Sequence, residues 1–418
     1  MDQLIYPSGI SGRFTAPSSK SASHRAVLAA ALAKGESRLE NLAGNDDIAA
    51  TVQAVSVLGA SVLRKGGSTV VDGIERPPER AQIACKESGS TLRFILPVAA
   101  ALGVKAVFSG EGRLPSRPIH MLLDELCRHG IVTDYTGTMP FGIAGRLQSG
   151  TYTISGGVSS QFVTGLLFAL PLLEGDSEII IEGRLESRPY VDMTVSTLRS
   201  FGVEVAETPT GYFIKGGQRY TNCIMCVEGD YSGAAFMLAA AALSGEVRCE
   251  GLLERSLQGD RAMLPLLERF GAQVTWDAGG VTVKAGPLSS IEIDAADIPD
   301  LVPVLAAVAA CAKGTTIIKG AARLRIKESD RLTAVAQMLG GLGAEITQTG
   351  DGLIITGKPA LAGGEAESFG DHRIAMSAAV AALRCTNPVT IKGAECVSKS
   401  YPNFFEELKA LILNSVNS

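Results

Sequence analysis

Eight basic residues of this chain stand at the ends of candidate elements: Lys20, Arg25, Arg93, Arg117, Lys327, Arg331, Arg373 and Lys399. Two carboxylates, Asp300 and Glu328, lie among them in the sequence. In a solvent-poor cleft, a carboxylate beside a lysine can exchange protons with a bound substrate, which is the general acid–base arrangement. Arginine forks match carboxylate and phosphate groups. Taken singly, a cation at a turn is usually solvated, and a carboxylate there is a helix cap or a surface ion pair. Eight cations at matching places in an acidic chain point instead to a small polyanionic ligand. Lys327 and Arg331 are four apart, a spacing that within one helix would place both on one face. The sequence holds no Walker loop, GxGxxG, HExxH or nucleophile elbow, so it offers no residues for a nucleotide or metal mechanism.

The elements that must position these groups recur. Glycine closes an amphipathic segment at Gly59, Gly130, Gly202, Gly271 and Gly343, about 70 residues apart, and each is followed by an alternating strand. Each unit opens with polar residues in the first turn of a small-residue helix. These are Lys20 and Ser21, Ser88 to Ser90, Ser159 to Gln161, Tyr231 and Ser232, Asp300, and His372 with Arg373. N-capping accounts for Ser and Asp at such places but has no need of Lys20, Gln161 or Arg373. If the helix starts face a common cleft, their dipoles and free N–H groups attract anions there. Six copies of one α/β unit cover nearly the whole chain, the sixth from Asp371 to about Leu413, and they divide most simply into two sets of three.

The 418 residues suffice for two or three domains. The net charge of −5 argues against a non-specific nucleic-acid surface. Eight cysteines are scattered, and Cys223 and Cys226, the one close pair, have no second pair or nearby histidine to complete a zinc shell. They read as reduced thiols of a cytoplasmic protein. The longest apolar runs, Ile95 to Val104 and Leu301 to Ala312, are too short to span a bilayer. The start, Met1-Asp2-Gln3, lacks a signal-peptide pattern. A short strand at Leu4-Ile5-Tyr6 is too small to be a unit and reads as one lent to another domain.

At these residues the chain resembles the enolpyruvyl transferase family, in its EPSP synthase branch. The resemblance runs over essentially the full length. It rests on Ser19 to Ala26, Ser88 to Arg93, Arg117-Pro118-Ile119, Ser159-Ser160-Gln161, Ser187 to Tyr190, Ile298-Pro299-Asp300, Ile326 to Arg331, Asp371-His372-Arg373 and Ser398 to Pro402. It implies an α/β (α+β) fold, a two-domain inside-out α/β barrel with three βαβαββ repeats per domain. Residues 13–226 would form one domain, and residues 1–12 with 227–418 the other. The domains would close over shikimate 3-phosphate and phosphoenolpyruvate, without cofactor or metal.

By the same resemblance, shikimate 3-phosphate would contact Lys20, Ser21, Arg25, Ser159, Ser160, Gln161, Ser187, Tyr190, Asp300 and Lys327. Phosphoenolpyruvate would lie among Lys20, Gly89, Arg93, Arg117, Gln161, Arg331, Arg373 and Lys399. The catalytic set would be Lys20, Asp300, Glu328 and His372. Asp300 would act as base toward the attacking 5-hydroxyl, and Glu328 and Lys20 as proton handlers at the methylene carbon and the leaving group. The resemblance further implies a cytoplasmic monomer with small-molecule substrates only, no nucleic acid and no membrane. Arg323 stands where many relatives carry Asn near the substrate phosphate, so that contact is not carried over. Two other readings compete. One is a UDP-N-acetylglucosamine enolpyruvyl transferase, whose loop cysteine would fall at Gly112. The other is a non-catalytic, repeat-built anion-binding protein, which would have no use for Asp300 and Glu328 beside the cations.

Overall fold

The computed structural model describes residues 1–412. Strands β1 (Gln3–Ile5) and β2 (Ile10–Thr15) come first, and copy one follows with α1 (Lys20–Leu32), β3 (Glu36–Glu40), α2 (Asp46–Val57), β4 (Ser61–Lys65) and β5 (Ser68–Asp72). Copy two comprises β6 (Arg80–Ala84), α3 (Gly89–Ala101), β7 (Lys105–Ser109), α4 (His120–Arg128), β8 (Ile131–Thr133) and β9 (Phe141–Gly145). Copy three is β10 (Thr151–Ser155), α5 (Ser160–Ala169), β11 (Ser177–Glu182), α6 (Arg188–Ser200), β12 (Ala206–Thr208) and β13 (Gly211–Ile214). After β14 (Ile224–Cys226), copy four has α7 (Tyr231–Ser244), β15 (Gly245–Glu250), α8 (Met263–Phe270), β16 (Gln273–Asp277) and β17 (Gly280–Lys284). Copy five is β18 (Glu292–Asp294), α9 (Val302–Ala309), β19 (Thr315–Lys319), α10 (Arg331–Gly341), β20 (Glu345–Gln348) and β21 (Leu353–Thr356). Copy six has β22 (Gly364–Glu367), α11 (His372–Ala382), β23 (Val389–Lys392) and α12 (Phe404–Leu411). Its expected end at Leu413 lies outside the described residues.

Within a complete copy, a helix joins two parallel strands and a second helix leads to an antiparallel hairpin, giving sheet orders such as β6-β7-β9-β8 and β10-β11-β13-β12. Two copies borrow their first strand. β14 pairs in parallel with β3, and β2 pairs in parallel with β15 from Ile10 to Thr15. Among the described residues copy six has no hairpin, and β1 takes its place antiparallel to β23. The borrowed strand expected at residues 4 to 6 therefore exists, but the longer loan, β2, had no sequence signal of its own.

The chain divides into two compact units, Lys20–Val227 and Met1–Ser19 with Glu228–Ser418. The boundary expected after residue 12 falls inside β2, whose six consecutive pairs with β15 keep the segment in the second of these units. The boundary at residues 227 and 228 lies next to the expected one.

In each unit some helices are enclosed, others such as α4 and α12 bury one face only, and the sheets have one covered face. Helix α7 is apolar all round, and all of α9 and α11 is buried, as expected of helices surrounded by protein. These three pack on one another, while in the other unit α3 packs on α5, and α1 on α2 and α6. Strands β7 and β19 alternate exposed and buried residues, so one face meets the helices. Each large apolar side chain enclosed this way contributes about 1.5–3 kcal/mol. The five closing glycines all take positive φ, from +76° at Gly202 to +118° at Gly271, which stops the preceding helix. No helix among the described residues is long and apolar enough to cross a membrane.

Candidate active site

In the Lys20–Val227 unit the expected site residues lie at or near the starts of α1, α3, α5 and α6, with Arg117 in the loop before α4. Lys20 opens α1, and its ammonium donates to Asp47 Oδ2 at 2.8 Å. Asn45 caps α2 by accepting from Ile48 N at 3.1 Å, which brings Asp47 into the first turn of that helix. Arg25 is buried. Its Nε donates to Thr194 Oγ1 at 2.9 Å, Nη1 to the Ser21 carbonyl at 2.7 Å and Nη2 to the Tyr190 carbonyl at 2.6 Å. Burial pulls its guanidinium down to about 10. Arg25 thus fastens α1 to α6, and the contacts it makes here are internal ones. Ser187, just before α6, sits in the left-handed region at φ 57°, a strained place for a non-glycine residue, and turns the chain into Tyr190.

A second cluster in the same unit surrounds Gly89. Arg93 Nη1 donates to Gln161 Oε1 at 2.9 Å, and Gln161 Nε2 donates to Ser90 Oγ at 2.8 Å. Ser159 caps α5 by accepting from Gln161 N at 3.3 Å, and Ser160 is buried beside it. A Cβ on Gly89 would lie 2.5 Å from Arg93 Nη1 and 2.8 Å from Arg117 Nη1. Only glycine lets both guanidiniums close over this turn, where the N-terminal dipole of α3 adds positive potential. Gly112 has φ +56°, a left-handed conformation that strains any other residue, and a Cβ there would also require the Glu87 carboxylate, 2.5 Å away, to move.

In the other unit, Asp300 collects cations. Its Oδ1 accepts from Arg331 Nη1 at 2.7 Å and lies 3.8 Å from Lys327 Nζ. Arg373 reaches its Oδ2 at 3.2 Å and its main-chain carbonyl at 3.1 Å. Burial would raise its pKa, but Arg373, Lys327 and Arg331 together outweigh burial and hold the carboxyl well below the usual range. Arg331, only 1% exposed, also donates to Glu328 Oε2 at 2.7 Å and from Nε to Asp371 Oδ2 at 2.8 Å. Asp371 caps α11 by accepting from Arg373 N at 3.0 Å, which ties this network to a helix start. Lys327 is pulled down to about 8, by burial first, with the Asp300 charge opposing.

The structure therefore brings together Lys20, Ser21, Arg25 and Tyr190, then Gly89, Arg93, Gln161 and Arg117, and separately Asp300, Lys327, Glu328, Arg331 and Arg373. His372 is buried at the start of α11, and Lys399 donates to the Gly370 carbonyl at 3.0 Å, next to that helix. One expectation is corrected. Lys327 and Arg331 do not share a helix, because Lys327 has extended backbone after a 3-10 turn (Ala322–Ile326) and α10 begins at Arg331 behind its cap, Asp330. They still meet, at Asp300. Glu328, which taken alone reads as a surface ion pair, is bound to a buried guanidinium instead.

Sequence reasoning did not single out Asp47, Asp371 and Asp260, which the structure sets against Lys20, Arg331 and Asp300. Asp260, 1% exposed, accepts from the Ser232 hydroxyl and is pushed up to about 6 by burial and then by the Asp300 charge. Asp371 caps α11, Asp47 sits in the first turn of α2 and Asp260 in a 3-10 turn (Gly259–Ala262), places where an Asp in sequence reads as a cap and nothing more. Among the described residues no group of His, Cys, Asp and Glu could hold a metal ion.

The sequence model of one family, EPSP synthase (3-phosphoshikimate 1-carboxyvinyltransferase), matches residues 6–408. The chain belongs to the EPSP synthase family. A relative in Clostridium acetobutylicum, named 3-phosphoshikimate 1-carboxyvinyltransferase, is 45% identical over 97% of this chain and 96% of its own. One of the same name in Methanocorpusculum labreanum is 42% identical over 98% of each chain. The solved EPSP synthase of Acinetobacter baumannii superposes with a TM-score of 0.82 at 31% identity, over 99% of this chain and 98% of that one. An enolpyruvyl transferase of Streptomyces tendae, 20% identical, shares the fold with a TM-score of 0.78. The fold is thus the two-domain inside-out α/β barrel of EPSP synthases.

Proposed function

We propose that the protein transfers the enolpyruvyl group of phosphoenolpyruvate to the 5-hydroxyl of shikimate 3-phosphate and releases phosphate, the reaction of aromatic amino acid biosynthesis for which EPSP synthases are named. The observation that carries the chemistry is the Asp300 carboxylate held by Arg331, Arg373 and Lys327.

In the free protein this carboxylate is too well stabilised to be a good base. When Lys327 turns to the shikimate phosphate, and Arg331 and Arg373 to phosphoenolpyruvate, Asp300 loses part of its cationic surroundings and its proton affinity rises. Substrate binding thereby prepares the base. Asp300 takes the proton of the 5-hydroxyl as its oxygen bonds to C2 of phosphoenolpyruvate. The methylene carbon gains a proton from Glu328 or Lys20, giving a tetrahedral intermediate. Loss of that methyl proton with departure of phosphate restores the double bond in the product. Gly89, Arg93, Arg117 and Lys399 hold phosphoenolpyruvate, while Ser21, Arg25, Ser159, Ser160, Gln161, Ser187 and Tyr190 arrange the acceptor, and His372, at the start of α11, belongs to the catalytic set. Positioning and charge stabilisation supply the rate.

Gly112 leaves the rival UDP-N-acetylglucosamine reading without its loop side chain. A phosphate-release assay on purified protein tests the proposal. Turnover should need both shikimate 3-phosphate and phosphoenolpyruvate. Turnover with UDP-N-acetylglucosamine instead, or none with the expected pair, would overturn it. The same reading takes the protein as a cytoplasmic monomer, and light scattering of the eluting protein checks the monomer.

A further inference from the structure

One group of buried polar side chains in the Lys20–Val227 unit has no part in the chemistry above. His24 Nδ1 lies 2.7 Å from Thr51 Oγ1, which lies 2.7 Å from Thr91 Oγ1, which donates to Ser88 Oγ at 2.8 Å. His24, Thr51, Thr91 and Ser88 are each no more than 1% exposed. The chain of donors crosses three helices, α1, α2 and α3. Burial pulls the imidazole down to about 3, so it is neutral, and its Nε2 has no hydrogen-bond partner. The Phe94 ring packs edge-on against the imidazole, at 6.2 Å between centroids. Apolar residues would fill these positions without any such unsatisfied atom, so packing alone does not account for them.

The groups that the chain borders do account for them. Thr51 and Thr91, each with one hydroxyl proton to share among these contacts, both lie against the main-chain carbonyl oxygen of Asp47, at 3.4 and 3.5 Å, and Asp47 is the residue whose carboxylate holds Lys20. At the far end, Ser88 caps α3 and immediately precedes Gly89, the turn over which Arg93 and Arg117 close. His24 itself is four residues along α1 from Lys20. We propose that the His24–Thr51–Thr91–Ser88 chain is a positioning device that holds the Lys20–Asp47 pair in fixed register with the Gly89–Arg93–Arg117 cradle. None of the four touches substrate. Their role is to keep a proton-handling lysine and an anion-binding turn, on different helices, at one spacing. The inference rests on the function proposed above, and its test reads out separately.

The experiment compares wild type with Thr51→Val, Thr91→Val, the double variant, Thr51→Ser and Thr91→Ser in the phosphate-release assay, alongside thermal unfolding. Valine keeps the shape and removes the link. Each valine variant should lose about 10- to 100-fold in kcat, the size of a small misplacement of catalytic groups. The double variant should fall no further than the worse single one, because the chain acts as a unit. The serine variants, which keep the hydroxyl, should stay within about threefold of wild type. Valine variants that unfold at lower temperature but keep wild-type kcat and KM would overturn the inference. So would two losses that multiply in the double variant, or serine variants as slow as the valine ones. If wild type itself shows no turnover with the two substrates, it is the proposed function that fails.

Discussion

Lys327 carries the charge in this site that is most open to pH. With its ammonium pulled down to about 8 by burial, kcat/KM for the phosphorylated acceptor should fall as pH rises through that value, since the neutral amine no longer attracts phosphate. Lys327→Arg should move this alkaline limb upward, and a pH series of initial rates checks it. Asp260 titrates on the other side of neutrality. Below about pH 4 both folded and unfolded states hold its proton. Between there and about 6 only the folded state does, so its contribution to stability is lost across that window as pH rises. Asp260→Asn should therefore raise the unfolding temperature at pH 7.5 and leave it little changed at pH 4. At Gly89 an added methyl must displace two guanidiniums, so Gly89→Ala should raise KM for phosphoenolpyruvate by about tenfold with a smaller change in kcat, read from saturation curves. The sequence made the cations legible because Lys and Arg at helix starts are conspicuous. It hid Asp47 and Asp371, because an Asp at a helix start looks sufficient as a cap.

At the scale of elements, helix α11 shows how one cap serves two purposes. Asp371 satisfies the first turn and neutralises Arg331, which is otherwise almost sealed from water. Asp371→Asn keeps a capping oxygen but strips the charge, leaving a buried guanidinium short of one partner, and should destabilise the protein by roughly 3 kcal/mol. A denaturant titration beside Asp330→Asn, whose site is much more exposed, would separate the two effects. Helices and their stops were readable from period and glycine placement, as α2 behind Asn45 illustrates. The first turns were less so. The break between Lys327 and α10 follows from a 3-10 turn that hydrophobic spacing does not encode, and Asp330 marks the true start only once its cap to Thr333 N is seen.

For the molecule as a whole, the six copies were visible in the sequence, but the partners of the borrowed strands were not. Local pattern shows that a segment is extended and says nothing about which distant strand it joins. Ile10 to Thr15 reads as polar and glycine-broken, yet it completes the sheet of copy four. Deleting residues 1–15 would remove β1 and β2 together and leave β15 and β23 each with one edge unpaired, since only β17 and β22 would still border them. The shortened protein should lose cooperative unfolding and aggregate, as light scattering and calorimetry would show. The same loan sets a timetable for synthesis. At about 5–20 residues per second, β2 leaves the ribosome on the order of tens of seconds before its partner β15 has been made. Through that interval a nascent strand has nothing to pair with in its own chain. Its Ser11-Gly12-Arg13 core, too polar and flexible to bind a neighbouring copy, suits it to wait.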